Sequence, residues 1–525
     1  MTSNEIINTF KNPIEDLKLS IRNKNFQQAE QICRFILTSD PNNAETLYYL
    51  GLIRQQQKQN VEGIKCISAA IHISENKLAN WYIDLGNLHC NEEKYDEALK
   101  YYHKALELSP ALGCGVYNNI GIIYKKRNEL DKAVEYYQKA LDISPNNSAA
   151  YSNLALALKE KGEFDKAIAL YEHAIKLDPN FACAYYNWGL ALKDQNKPQE
   201  AIDLFKKSLE IDPNFTDAFM DLAICLLVTK NFEEGWSVYE SRYAGLNEPK
   251  PKANKPKWNG ESLEGKTLLV MAEQGCGDTI QFARYIPQLN ALGAKVIFKP
   301  QKGLEKLFKQ NNLKAEILEA FPSEDSFDMY SLLLSLPHRL NANIENIPSA
   351  NGYLKADTEK VKEYKEKYFN TDKLKVGLFW QGSKTYKNDK KRSTTLDNFY
   401  QLGKLPNVQL YSIQKGYGEE QLQDIPEDFN IIKLGDTFED FSDTAAAIEN
   451  LDLVISVDSS IAHLAGALGK PVWVLLSYVW EWRWFMCDDK TPWYDSMKIF
   501  HQYENGNWDD VFNRVNEALK TFPVN

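Results

Sequence analysis

Residues 117–145 read YNNIGIIYKKRNELDKAVEYYQKALDISP, and this stretch decides the fold of the first half. Small and apolar residues recur at helical spacing on either side of the polar turn KKRNEL, and the closing proline stops the second helix. The phrase then repeats. Gly51, Gly86, Gly121, Ala155, Gly189 and Ala223 stand 34 or 35 residues apart, and Ala29, Gly63, Ala98, Ala133, Ala167, Ala201 and Gly235 follow with the same period. Pro41, Pro110, Pro145, Pro179 and Pro213 punctuate the copies in phrases such as LELSP and KLDP. A fixed period of this length marks stacked helix pairs, in which small residues let two helices approach and large ones fill the seam between neighbours.

Seven copies span about residues 8–247. They resemble the tetratricopeptide repeat almost position by position, which implies a right-handed α superhelix with a concave groove that holds a peptide segment of a partner. Tyr82, Tyr117, Tyr151 and Tyr185 read as repeat core. Asn118, Asn119, Asn153 and Asn187 are the amides that could bond a peptide backbone from the groove. A homodimer through the convex face is left open.

The totals bound the rest. At roughly 150 residues per domain, 525 residues make about three domains. The net charge of −11 excludes a broad basic face for nucleic acid but not a local basic pocket. No run reaches the roughly 18 apolar residues of a membrane span, and MTSNEIINTFKNP has no apolar core behind a basic start, so the expected location is the cytoplasm. The eight cysteines lack CxxC spacing and the seven histidines lack an HExxH pair. Neither a disulfide framework, a metal site nor a resident cofactor is expected.

After WSVYESRYAG the character changes. NEPKPKANKPKWNG (247–260) reads as a Pro- and Lys-rich linker, and from Lys266 the short β-rich runs TLLVMA, AKVIF, KVGLFW, VQLYSI, DLVISV and PVWVLL alternate with helical segments. Such alternation predicts parallel, doubly wound sheets. Two are expected, joined near Asn351 to Lys373. The organisation is then a superhelix over 1–247, a linker over 248–260, and two Rossmann-like domains over 261–360 and 361–525.

Ligands in such folds lie beyond the carboxyl ends of strands, and four motifs stand there. LLVMAEQGCGDTIQFARY brings Gly275, Gly277 and Asp278 to the end of the first strand. Its glycines allow a close backbone approach; as a dinucleotide fingerprint it fails, since the third glycine would fall at Ile280, and a plain turn capped by Asp278 is the other reading. VGLFWQGSKTYKNDKKRS places Gln381 before Lys384, Lys387, Lys390, Lys391 and Arg392, a phosphate clamp or a solvated loop. LYSIQKG adds Gln414 and Lys415. The most specific is LDLVISVDSSIAHLAGALGKPVWVLL, in which a buried strand delivers Asp458, Ser459 and Ser460 to the start of a small-residue helix carrying His463. A helix N-terminus of this kind suits a diphosphate, though Ser459 and Ser460 are also ordinary caps. DFSDTAAAIENLD has the same form, with Asp443 and Thr444 placed either for a ribose or base or simply as caps.

Together these strand ends resemble a GT-B glycosyltransferase, and more closely the family-nine lipopolysaccharide heptosyltransferases. That resemblance implies that Asp278, in the GD motif after the first strand, is the catalytic base. It implies that Asp458, Ser459, Ser460 and His463, matching VD(S/T)xxxHLA, grip the donor phosphates, with Lys387 or Lys415 adding charge. Tetratricopeptide repeats joined to such a half are similar to protein O-GlcNAc transferases and bacterial flagellin glycosyltransferases. The expected activity is inverting, metal-independent transfer of a sugar from a nucleotide-sugar donor to a Ser or Thr hydroxyl of a protein recruited by the repeats, such as flagellin. A glycan or lipid acceptor, and a non-catalytic scaffold, are the alternatives. The segment YVWEWRWFMCDDKTPWYDS (478–496) departs from the heptosyltransferase pattern and leaves the sugar open; Trp482, Trp484 and Trp493 within it either cover the donor or belong to the core.

Overall fold

The computed structural model describes residues 12–74, 78–244, 248–251, 254–348, 351–384, 389–486 and 489–523. The chain divides into two compact units at Ala191/Leu192.

The first unit is a stack of antiparallel helix pairs, such as Gly113–Lys126 with Leu130–Ile143 and Ser148–Glu160 with Phe164–Leu177. The 34-residue period has a direct steric cause. A Cβ on Gly86 would lie 2.6 Å from the Tyr102 ring, and one on Gly121 would lie 2.6 Å from Tyr137. In these two pairs the glycine of the first helix is the socket for a tyrosine of the second, as Gly51 is for Ile67 in an earlier pair, and Tyr102, Tyr137 and Tyr171 are fully enclosed in the array. Of the tyrosines read from the sequence as core, Tyr82 is buried, whereas Tyr117, Tyr151 and Tyr185 are half-buried. Between the paired helices one residue takes a left-handed conformation, at Lys58, Glu93, Asn128 and Gly162, and again at Asn196 and Lys230 in the second unit. Only glycine and asparagine adopt it cheaply.

The second unit opens with helices Pro198–Ile211, Thr216–Val228 and Phe232–Tyr239. Two parallel sheets follow. The first comprises β1 (Thr267–Met271), β2 (Lys295–Lys299), β3 (Ala315–Ile317) and β4 (Met329–Leu332), in the order β3-β2-β1-β4. The second comprises β5 (Leu374–Phe379), β6 (Val408–Ser412), β7 (Ile431–Lys433), β8 (Leu453–Val457), β9 (Val472–Leu476) and β10 (Met497–His501), in the order β10-β9-β8-β5-β6-β7. The chain is thus a helical repeat array followed by an α/β region of two parallel sheets. β3, β4, β7 and β10 are absent from the six runs read in the sequence; β3 and β7 have three residues each, too few to stand out from loop.

The last helices share a core with the first sheet. Leu227, Phe232, Trp236 and Tyr239 cluster with Leu268, Val270, Phe282 and Trp482, and Trp236 packs edge-on against Phe282 at 6.1 Å and Trp482 at 5.5 Å. Packing therefore places residues 192–244 with the sheets, although the repeat motif runs through them. The Pro- and Lys-rich stretch is also more than a spacer. Trp258 is buried, its N–H donates to the Tyr330 carbonyl at 2.8 Å, and Tyr330 N–H donates to the Pro256 carbonyl at 3.1 Å, which extends the first sheet beside β4. Among the described residues no helix is long and apolar enough to cross a membrane.

Candidate active site

The site is built on the turn after β1. Glu273 is buried there and is held by Arg242, which donates from Nε at 3.0 Å and Nη2 at 2.7 Å; the Tyr243 hydroxyl and the Leu334 N–H at 3.1 Å also donate to it. Gln274 follows in the left-handed region, with its side chain on the Tyr239 hydroxyl. Gln301 donates to the carbonyls of Glu273, Gln274 and Gly275. Contacts from separate elements thus fix residues 273–275 before the first functional residue is reached.

Asp278 lies in the first turn of helix Cys276–Phe282, where Oδ2 accepts the Gly275 N–H at 2.9 Å. Gly277 shows why that turn is glycine-rich: a Cβ there would lie 3.1 Å from His463 Cδ2 and 3.3 Å from Ser460 Cα. The helix after β1 therefore rests directly on the helix after β8, Ser460–Ala467. The structure brings Gly277, Asp278, Ser460 and His463 together from the two sheets.

Ser459 is consumed as an N-cap, its Oγ accepting the Ile461 N–H at 3.2 Å and contacting Ser456 Oγ at 2.9 Å. His463 is buried, meets the Tyr494 hydroxyl through Nδ1 at 3.1 Å, and stacks on Trp484 at 5.0 Å. Burial, with Arg483, Arg284 and Arg392 nearby, holds its imidazole well below the ordinary range. It is neutral at pH 7, a hydrogen-bonding wall rather than a cation. Burial pushes the Asp458 carboxyl up, against the pull of Arg392 and Arg483.

Other sequence candidates are bound within the scaffold. The Gln414 amide accepts from the Trp380 and Gln381 N–H groups and donates to the Gln381 and Tyr417 carbonyls, so its bonding capacity goes to shaping the strand-end loop. Gln381 accepts from Gln421 at 2.8 Å. Lys415 donates to the Phe438 carbonyl. Asp443 accepts from Lys360 and from the Glu439 and Asp440 N–H groups, and Thr444 is buried beside it; Lys360, bonded to Asp443 and Ser442, fastens helix Phe441–Glu449 to helix Thr358–Tyr368. Lys384, Lys390 and Lys391 are exposed, and Lys387 lies outside the described residues. Arg392 instead turns inward, 3.1 Å from Asp389. Trp482, Trp484 and Trp493 are all buried.

The sequence reading missed the group that meets Asp278. Arg483, on the segment leaving β9, donates from Nε to Asp278 Oδ1 at 3.0 Å and from Nη2 to the same oxygen, while its Nη1 pairs with Glu481. Burial opposes the Arg483 charge, but Asp278 and Glu481 outweigh it and hold the guanidinium protonated well above its ordinary range. The segment is anchored from the last repeats: Asn196 donates to the Tyr478 carbonyl and accepts the Trp480 N–H at 3.1 Å. Alternating WEWRW was the available signal, since charges between tryptophans at a strand end must be paired with something.

In the repeat array the asparagines bond from one repeat to the next, Asn153 to Asn118 at 2.9 Å and Asn119 to Asn87 at 3.0 Å. Asn187 reaches Ser152 at 3.4 Å. Asn118, Asn119 and Asn147, with Ile83, Leu112 and Cys114, line a cavity of about 400 Å³.

Comparison with known proteins assigns the two parts. Residues 77–146, 114–180 and 182–215 match tetratricopeptide repeat families, and residues 399–508 match glycosyltransferase family 9 (heptosyltransferase). The chain therefore joins tetratricopeptide repeats to a glycosyltransferase family 9 region. That region takes in Asp458, His463, Glu481 and Arg483, while Asp278 lies before it. Protein FlbA of Caulobacter vibrioides is 28% identical over 328 residues, which cover 57% of this chain and 54% of FlbA; the chain spans about half the length of that relative. Among solved structures, a tetratricopeptide repeat protein from Parabacteroides merdae aligns over 45% of this chain and 93% of its own at 16% identity (TM-score 0.39). The Pseudomonas aeruginosa protein pilF aligns over 38% and 90% at 19% identity (TM-score 0.33).

Proposed function

We propose that the chain is an inverting glycosyltransferase that moves a sugar from a nucleotide-sugar donor to a Ser or Thr hydroxyl of a protein recruited by the repeats. The observation that carries this reading is the family 9 match over β8 and helix Ser460–Ala467, with Gly277, the neighbour of Asp278 on the other sheet, set against that helix. The donor diphosphate lies at the N-terminus of that helix, where first-turn N–H groups and the helix dipole favour negative charge. Asp278 takes the hydroxyl proton as the acceptor oxygen bonds to the anomeric carbon. The bond from that carbon to the phosphate oxygen breaks, and its electron pair leaves with the nucleoside diphosphate. Arg392 and Arg483 offset the charge that develops there, so the course proposed needs no metal ion. Neutral His463 orients rather than neutralises. The acceptor class proposed is flagellin or another surface protein modified in the cytoplasm before export, and the asparagine-lined array supplies its binding groove.

Thermal denaturation against UDP, GDP, ADP and CMP sugars tests the donor half of the reading, because a ligand that binds only the folded state raises the midpoint. One nucleotide class should do so, and transfer to protein with that donor should fall about 100-fold in Asp278→Asn. A flat response across the panel refutes the reading and leaves a binding scaffold.

A further inference from the structure

Residues 477–486 leave the carboxyl end of β9 and carry Glu481 and Arg483 into the site. The Arg483 guanidinium lies between carboxylates from the two sheets: Nε and Nη2 engage Asp278 Oδ1, Nη1 engages Glu481 Oε1, and Glu481 Oε2 accepts the Arg483 N–H at 2.8 Å. The three side chains are enclosed to different degrees, Asp278 at 12%, Arg483 at 16% and Glu481 at 28% exposure. A guanidinium presents its donors in a fixed fork, so any movement that tightens one end slackens the other.

We propose that Glu481 is a positioning residue for Asp278, acting through Arg483: ionised Glu481 draws the guanidinium towards itself and leaves Asp278 able to accept a proton, whereas neutral Glu481 leaves Arg483 wholly on Asp278. The proposal rests on the reading of Asp278 as the proton acceptor. The groups facing this centre are Asp278 from helix Cys276–Phe282, Asp458 from the turn after β8, His463 from helix Ser460–Ala467, Tyr239 from the last repeat helix, and Arg483 on the segment itself, with Arg392 beyond Asp458. Burial pushes the Glu481 carboxyl up to about 7; Arg483 opposes this, and Asp458 and Asp278 add to it. The division of Arg483 therefore changes within the physiological range.

The arrangement contains its own reporter. The Arg483 guanidinium lies over the Trp482 ring at 4.3 Å, so its movement alters tryptophan emission. Fluorescence of the full chain is titrated from about pH 5 to 9 in wild type, Glu481→Gln, Glu481→Asp and Asp278→Asn, with no sugar present. Wild type and Glu481→Asp should show a transition near 7 that Glu481→Gln lacks. In Asp278→Asn the midpoint should fall by about one pH unit or more, since a neighbouring negative charge is gone and Arg483 is released to Glu481. A transition that survives in Glu481→Gln, or keeps its wild-type midpoint in Asp278→Asn, overturns the proposal. With a donor in hand, Glu481→Gln should lose the acidic limb of kcat/KM and drop about tenfold or more in kcat with KM within about twofold; unchanged transfer overturns the proposal as well. Absence of transfer by wild type would instead sink the glycosyltransferase reading, and the sugar-free titration would still decide whether Glu481 and Asp278 share Arg483.

Discussion

Replacing Arg242 by methionine should unfold the second unit early, and the structure says by roughly how much. Arg242 and Glu273 are 1% and 0% exposed and 2.7 Å apart. Removing one member of a buried pair strands the other charge and costs about 3–5 kcal/mol. Here Tyr243 and the Leu334 N–H remain on Glu273, so the lower end applies, about 3 kcal/mol, or a fall of roughly 5 °C or more in the midpoint. Thermal denaturation followed by near-UV circular dichroism reads it. Two controls belong beside it. Lys104→Ala, in an ion pair 45% and 63% exposed, should leave the midpoint unchanged. Arg242→Met with Glu273→Leu should regain most of the loss, because no charge is left unpaired. A single Arg242→Met that melts with wild type would refute the view that this pair fixes the turn before Asp278.

Cutting the chain before Leu192 should leave a soluble, cooperatively melting α/β fragment, whereas cutting after residue 247 removes Leu227, Phe232, Trp236 and Tyr239 from the shared core and should yield aggregated protein, as size-exclusion chromatography would show. Gly277→Val should drive helix Cys276–Phe282 off Ser460 and His463, costing about 1–3 kcal/mol and abolishing any nucleotide-dependent rise in the midpoint. His463 is held below its unfolded value of 6.5, so the unfolded chain binds the extra proton and stability falls as pH drops below 6.5. A His463→Gln variant should show a shallower loss between about pH 6.5 and 5.

The repeat array was legible because its period is enforced by volume: Gly86 and Gly121 face Tyr102 and Tyr137, and Gly51 faces Ile67 at the same spacing. The long central strands were legible as unbroken apolar runs, and the turns at Gly275 and Ser459 as strand-to-helix punctuation. What escaped depends on distant partners. Nothing local distinguishes Gln414, spent on backbone groups of its own loop, from a glutamine aimed at a ligand. Arg242 and Glu273 lie 31 residues apart, Asp278 and Arg483 205 apart, and each member taken alone reads as a surface charge. Trp236 sits in a repeat phrase like its predecessors, so its membership of the sheet core shows only when Phe282 and Trp482 are folded around it.

The shared core at Trp236 bears on how such chains can be recombined. Homologous repeats invite exchange at any helix boundary, and for the copies ahead of Ala191 a whole-period swap keeps every socket filled. Past Leu192 the same crossover would separate Asn196 from Tyr478 and Trp480, and Arg242 from Glu273. The final repeats are thus an adaptor that must be inherited with the sheets, and the viable splice junction lies some fifty residues upstream of where the motif stops.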